Sequence, residues 1–222
     1  MFQRLLPLAL LIFWHSTAYG QNVSAKDILK KAIAYHDPNN EWPVLQAQFS
    51  FNETRPNGQD RSTTAEINNG QGWFQLERKD IESHGMKMDS CFLLYGEADC
   101  DRAARMRNYY LYLWGLPMKL TDEGTPLDDE VREETFEGQD CYILRVPYEE
   151  DVWYFYLSKE DYRMIAYKFY KDEATGKGEL ITTEGVYTYG EMKFANNRTW
   201  YVLPGLRVLG TDILTEVQPL DN

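Results

Sequence analysis

After Trp42-Pro43 the chain begins to alternate. Leu45, Ala47, Phe49 and Phe51 are interleaved with Gln46, Gln48, Ser50 and Asn52, the period-two mark of a half-buried strand. Pro56-Asn57-Gly58 turns it into a strand over 61–67, and Asn68-Asn69-Gly70 turns that into one over 73–78. Asn-Gly pairs between alternating runs are strong hairpin signals, so this half reads as an antiparallel meander, with a weaker strand over 81–88. Further strands are expected over 130–136, 141–146, 152–157, 163–170, 179–189, 192–194 and 199–203, about ten in all. By the same parity Phe49, Phe51, Phe74, Leu76, Tyr142, Leu144, Ile165, Tyr167 and Phe169 face inward. The run Val152-Trp-Tyr-Phe-Tyr-Leu157 is apolar on both faces.

Helical spacing occurs twice. Ser24-Ala-Lys-Asp27 is a capping-box-like start, with Ile28, Leu29, Ala32, Ile33 and His36 following at helical intervals until Asp37-Pro38-Asn39-Asn40. His36, at that end, is read as a packing or capping residue, not a ligand. A second helix is expected over 99–114, closed by Gly115 and Pro117. Its distal half, Tyr109-Tyr-Leu-Tyr-Leu-Trp114, is aromatic or leucine all round, which a solvent-facing helix would not tolerate. It must pack on the sheet.

The first twenty residues read as an address. Arg4 precedes an apolar run from Leu5 to Trp14, and Ala18-Tyr19-Gly20 presents small residues before Gln21. The run is too short to span a bilayer, which takes about 20 residues; a buried N-terminal helix is the other reading. The expectation is a signal peptide at 1–20, cleaved near Gly20/Gln21, then a single domain over 21–222 that is periplasmic or secreted. No Cys near the cut offers a lipid attachment point.

Cysteine usage suits an oxidising compartment. Cys91 and Cys100 lie close in sequence and are the natural disulfide, with Cys141 free; three buried thiols is the alternative. There is no CxxC, and only His36 and His84 remain beyond the leader, so no metal site is expected.

Composition sharpens the picture. The 222 residues are 43% hydrophobic and 26% charged, with 14% aromatics, 16 Tyr among them, and net charge −12. Such acidity leaves no broad footprint for nucleic acid, and the aromatics favour strands. The expected class is mainly β with two helices (α+β), more than 40% strand by circular dichroism.

Motifs for catalysis are missing. There is no GxSxG, GxxxxGK[ST], HExxH or GxGxxG, and Gly176-Lys177-Gly178 reads as a hairpin turn. The carboxylates of Asp128-Asp129-Glu130, Glu133-Glu134 and Glu149-Glu150-Asp151 could in principle serve a glycosidase, but acidic loop runs are ordinarily solvated. Asn22, Asn52 and Asn197 begin N-x-[ST] sequons, which matter only in a glycosylating host.

The order of elements, an N-terminal helix, a meander, a midchain helix and a late run of strands, resembles the lipoprotein-carrier (LolA-like) half-barrel superfamily. Tyr110-Leu-Tyr-Leu-Trp-Gly-Leu-Pro-Met-Lys-Leu120 with Asp122 and Gly124 resembles an uncharacterised family of exported bacterial proteins within it. So do Gly138-Gln139-Asp140-Cys141-Tyr142 and Tyr156-Leu-Ser-Lys-Glu160 with Arg163-Met164-Ile165. The resemblance implies a curved antiparallel sheet forming an open half-barrel, with helices over a concave face that holds acyl chains without catalysis or a cofactor. On the residue pattern, Tyr110, Leu113, Trp114, Leu116 and Met118 would form one wall of such a site and Phe49, Phe74, Phe155, Tyr167 and Phe169 the other, with no charged residue needed inside. The expected partner is a lipid or other apolar molecule, with an envelope protein to deliver or receive it. A monomeric, non-enzymatic carrier or sensor follows. Two rivals stand beside it: a glycan-binding or adhesive module using exposed aromatics, and a hydrolase built on the acidic loops.

Overall fold

The computed structural model describes residues 23–220; the leader expected at 1–20 and the sequon at Asn22 lie outside them. Helix α1 spans Ala25–His36, with Ser24 as N-cap accepting from the Asp27 amide at 3.1 Å. Five strands follow: β1 (Gln46–Thr54), β2 (Arg61–Asn68), β3 (Trp73–Arg78), β4 (Glu82–Lys87) and β5 (Ser90–Tyr95). Helix α2 covers Cys100–Trp114, capped by Asp99, whose carboxylate accepts from the Arg102 amide at 2.7 Å. Seven strands complete the chain: β6 (Arg132–Phe136), β7 (Gln139–Pro147), β8 (Val152–Ser158), β9 (Met164–Asp172), β10 (Lys177–Tyr189), β11 (Met192–Leu203) and β12 (Arg207–Pro219). Strands take up 52% of the described residues.

All twelve strands form one antiparallel sheet in the order β5-β4-β3-β2-β1-β12-β11-β10-β9-β8-β7-β6. The topology explains the placement of α2. The chain meanders outward from β1 to the edge strand β5, and must then reach the opposite edge at β6. Helix α2 makes that crossing over the concave face, and the remaining strands meander back until β12 pairs with β1. The edges do not meet, so the sheet is an open half-barrel.

The concave face carries two apolar clusters. One gathers Phe49, Phe51, Phe74 and Leu76 with Tyr110, Trp114 and Met118. The other joins Ile28, Leu29 and Ala32 of α1 to Leu113, Leu116, Leu144, Phe155, Leu157 and Tyr167. A third cluster on the convex side, with Cys141, Ile143, Tyr154 and Tyr156, accounts for the β8 run that is apolar on both faces.

Some expectations are corrected. There are twelve strands, not about ten, because β5 and β12 were not anticipated and the runs 192–194 and 199–203 are one strand, β11. Ile165 does not face inward with Tyr167. The β8–β9 register shifts between Tyr156 and Leu157, so Met164 turns into the concave cluster and Ile165 joins the convex one. The Asn68–Gly70 connection is a short 3₁₀ turn over Asn69–Gln71, and Gly72 takes the left-handed backbone at φ +60°.

Candidate ligand site on the concave face

The residues expected to wall a site fall into the two clusters of the concave face, both packed against α2. The Trp114 ring lies 4.6 Å from Phe51 and 6.5 Å from Phe49, and Tyr110 lies 6.0 Å from Phe74, centroid to centroid. Leu113 and Leu116 sit with Phe155 and Tyr167 in the second cluster. Phe169, half-buried, stacks on Trp153 at 4.7 Å. Met118 is buried yet borders a cleft of about 410 Å³ with Ile33 and Trp42. In this conformation the two walls touch, and the helix fills the concavity.

Polar groups also lie inside, contrary to the expectation of an uncharged face. Glu53, on β1, is 2% exposed. Its carboxylate accepts from the Tyr110 hydroxyl at 2.7 Å and from Thr63 at 3.0 Å, and pairs with Arg61 and Arg78. Burial works to raise its pKa, but these donors prevail and hold it below the usual carboxylate value. Glu82, on β4, pairs with Arg78 and takes two bonds from Arg102 of α2, both at 2.7 Å. The Arg102 hydrogen bonds outweigh burial and bring it to about 2. Asp212, on β12, accepts from Arg55 at 3.0 Å, from Trp200 Nε1 at 2.8 Å and from the Tyr109 hydroxyl at 3.2 Å. Burial, with the charge of Glu53, raises it.

These charges sit at inward positions of the same alternation that places the aromatics. Glu53 continues Phe49 and Phe51, Arg78 continues Phe74 and Leu76, Arg198 precedes Trp200, and Asp212 precedes Leu214. Strand parity therefore carried the signal, and only the hydrophobic members were read from it. The network opens at one end into a cleft of about 1130 Å³ lined by Arg55, Arg61, Arg78, Arg102, Arg207 and Glu82. Helix α2 is thus tied to the sheet by named bonds, Tyr110 to Glu53, Arg102 to Glu82 and Tyr109 to Asp212, as well as by apolar contact.

Cys91 on β5 and Cys100 at the first turn of α2 stand in disulfide contact, with Cα atoms 5.5 Å apart, and Cys141 is buried and unpaired. Among the described residues no group of three or more His, Cys, Asp or Glu could hold a metal ion, and no helix is long and apolar enough to cross a membrane.

An open antiparallel half-barrel with a helix laid over its concave face is the LolA-like fold. The chain is similar to the crystal structure of a LolA superfamily protein from Nitrosomonas europaea, at 11% identity and TM-score 0.57, covering 90% of this chain and 95% of that one. It is likewise similar to a putative outer membrane lipoprotein-sorting protein domain from Vibrio parahaemolyticus, at 12% identity and TM-score 0.55, covering 87% and 91%. No curated protein matches the chain by sequence. The sequence model of the family of unknown function DUF6503 matches residues 4–94 and 95–217, and the chain belongs to that family.

Proposed function

We propose that this protein is an exported, non-catalytic carrier or sensor that takes an apolar ligand, a lipid or acyl chain, between α2 and the concave face. The observation that carries this reading is the make-up of the α2–sheet boundary. Aromatic and aliphatic side chains from both sides of an open sheet meet under a single helix, and that helix is held by a handful of side-chain bonds. Replacing the helix's apolar contacts with those of an acyl chain exchanges like for like, at about 0.8 kcal/mol for each buried CH₂. The LolA superfamily and lipoprotein-sorting descriptions of the two structural neighbours are consistent with a lipid-handling role. A periplasmic or secreted location and a partner in the envelope belong to the same reading.

The rivals gain no support. Of the large apolar and aromatic side chains exposed among the described residues, Tyr95 is the sole aromatic, and the stacked pairs Trp73–Phe92 and Tyr142–Tyr162 are only half-exposed. Asp128 pairs with Arg145 and Glu133 of β6 with Lys159, as solvated surface charges do.

The test is uptake of a fluorescent fatty acid by delipidated protein. The parent should bind, and Trp114→Arg should abolish uptake while the far-ultraviolet strand spectrum persists. A parent that never binds, together with unfolding of the variant, would identify this boundary as a permanent core and end the carrier reading.

A further inference from the structure

Beneath the C-terminal end of α2 the concave face holds a cation that the fold leaves unused. Arg198 lies on β11 between the two apolar clusters and is 4% exposed. Its Nε and Nη1 have no hydrogen-bond partner, and its guanidinium carbon sits 3.5 Å from the centroid of the Trp114 ring. Asp212 faces it in register on β12, yet the carboxylate of Asp212 is taken up by Arg55, Trp200 and Tyr109. On β9 the Tyr167 hydroxyl is also buried and without a partner. Buried polar groups are nearly always satisfied, and a buried charge is normally paired. Stacking on Trp114 compensates the guanidinium only in part. Burial accordingly pushes its pKa down. A forked donor and a hydroxyl left idle in an apolar setting are the complement of one small anion.

We propose that Arg198, assisted by the Tyr167 hydroxyl, anchors the anionic head group of an acyl amphiphile whose tail lies along the aromatic surface under α2. The head group takes the place of the Trp114 ring above the guanidinium. This inference rests on the carrier reading and narrows it to a ligand class, an acyl chain ending in a carboxylate or phosphate.

The experiment is calorimetric titration of the delipidated full-length mature chain with three probes below their critical micelle concentrations: oleate, its uncharged counterpart oleyl alcohol, and oleoyl lysophosphatidate. Wild type should bind oleate about tenfold or more tightly than oleyl alcohol. Arg198→Met, close in shape and uncharged, should erase that preference while keeping its affinity for the alcohol, and Tyr167→Phe should reduce it. Comparing the two anions assigns the head group, with tighter lysophosphatidate binding indicating a phosphate. Equal binding of oleate and oleyl alcohol by wild type, or an undiminished preference in Arg198→Met, overturns the anchor and leaves the carrier reading standing. Binding of no probe at all overturns both. Should Arg198→Met fail to fold, the wild-type comparison and Tyr167→Phe decide the matter alone.

Discussion

His36 should make this protein lose stability as the pH falls below about 6.5. The ring sits at the end of α1, 5% exposed, and bridges two strands. Its Nε2 accepts from the Met164 amide at 3.1 Å, so Nδ1 carries the proton and donates to the Lys193 carbonyl at 2.8 Å. Both nitrogens are thereby engaged only in the neutral form. Burial lowers the pKa from 6.5 to about 4; the Lys193 carbonyl works against that, and the charge of Arg198 adds to it. The unfolded chain takes up the proton near its ordinary pKa, whereas the folded chain resists until about 4. Between these values the unfolded state binds more protons, so stability falls with falling pH. A gap of roughly two and a half pH units corresponds to about 3 kcal/mol lost between pH 7 and pH 4. Urea unfolding of wild type and His36→Gln across that range isolates the effect, since other titrating groups are common to both. The wild type's advantage over the variant should shrink by about 3 kcal/mol from pH 7 to pH 4. Two stability curves that run parallel over the whole range would show that His36 does not titrate this way.

Glu82 acts at lower pH: with its pKa at about 2, its contribution is complete above about 4.5 and is lost as pH falls through 2, so Glu82→Gln should flatten the acid limb of the unfolding profile by about 3 kcal/mol. Tyr110→Phe removes a buried hydrogen bond to a charged acceptor and should cost about 1.5–3 kcal/mol by urea melt; a neutral result would mean α2 is not held there. Phe74→Ala empties a fully buried position and should cost about 3–5 kcal/mol by urea melt; a cost well below that range would show that the ring is not closely packed there. We expect Cys91 and Cys100 to be joined in protein made in an oxidising compartment and Cys141 free, which non-reducing peptide mapping decides; a bridge to Cys141 would overturn the pairing.

Where sequence and structure part, the reason is local. Strand β5, Ser90–Tyr95, is an edge whose Leu93, Leu94 and Tyr95 are all exposed, so it shows no alternation to detect. Strand β12 does alternate, but its inward positions include Gly210 and Asp212 as well as Leu214, and a hydrophobicity filter passes over them. Asn196-Asn197 looks like a turn, yet the strand runs through it, and the Asn196 side-chain amide donates to the Leu214 carbonyl at 2.7 Å. The helices were legible because capping chemistry and helical spacing are short-range. The aromatic boundary was legible because parity survives burial. The charges inside it were not, since their partners lie far away in sequence: Tyr110 and Glu53 are 57 positions apart, Tyr109 and Asp212 are 103.

That buried network bears on how the concave face could work. A core meant only to be stable gains little from enclosed ion pairs, because removing two charges from water offsets most of their attraction, and apolar replacements are often as good or better. Here the enclosed pairs are not spread evenly. Arg102 ties the first turn of α2 to β4 through an ion pair, and Tyr109 and Tyr110 bond to carboxylates of β12 and β1. Toward the other end the bond is a neutral one, between the Tyr112 and Tyr148 hydroxyls at 3.1 Å, and Trp114 packs with Phe51, Met118 and the unpaired Arg198. Bonds to buried carboxylates fix the rest of the helix at a set position, and the end carrying Trp114 is held by one neutral hydroxyl pair and by contacts that another apolar surface can supply equally well. If α2 moves to admit a ligand, the tethered end is the pivot and the end carrying Trp114 is the part that lifts. Exchange protection should record this asymmetry, with amides near Trp114 opening at lower free energy than those near Arg102. Uniform protection along α2 would mean that it leaves the sheet as a whole or not at all.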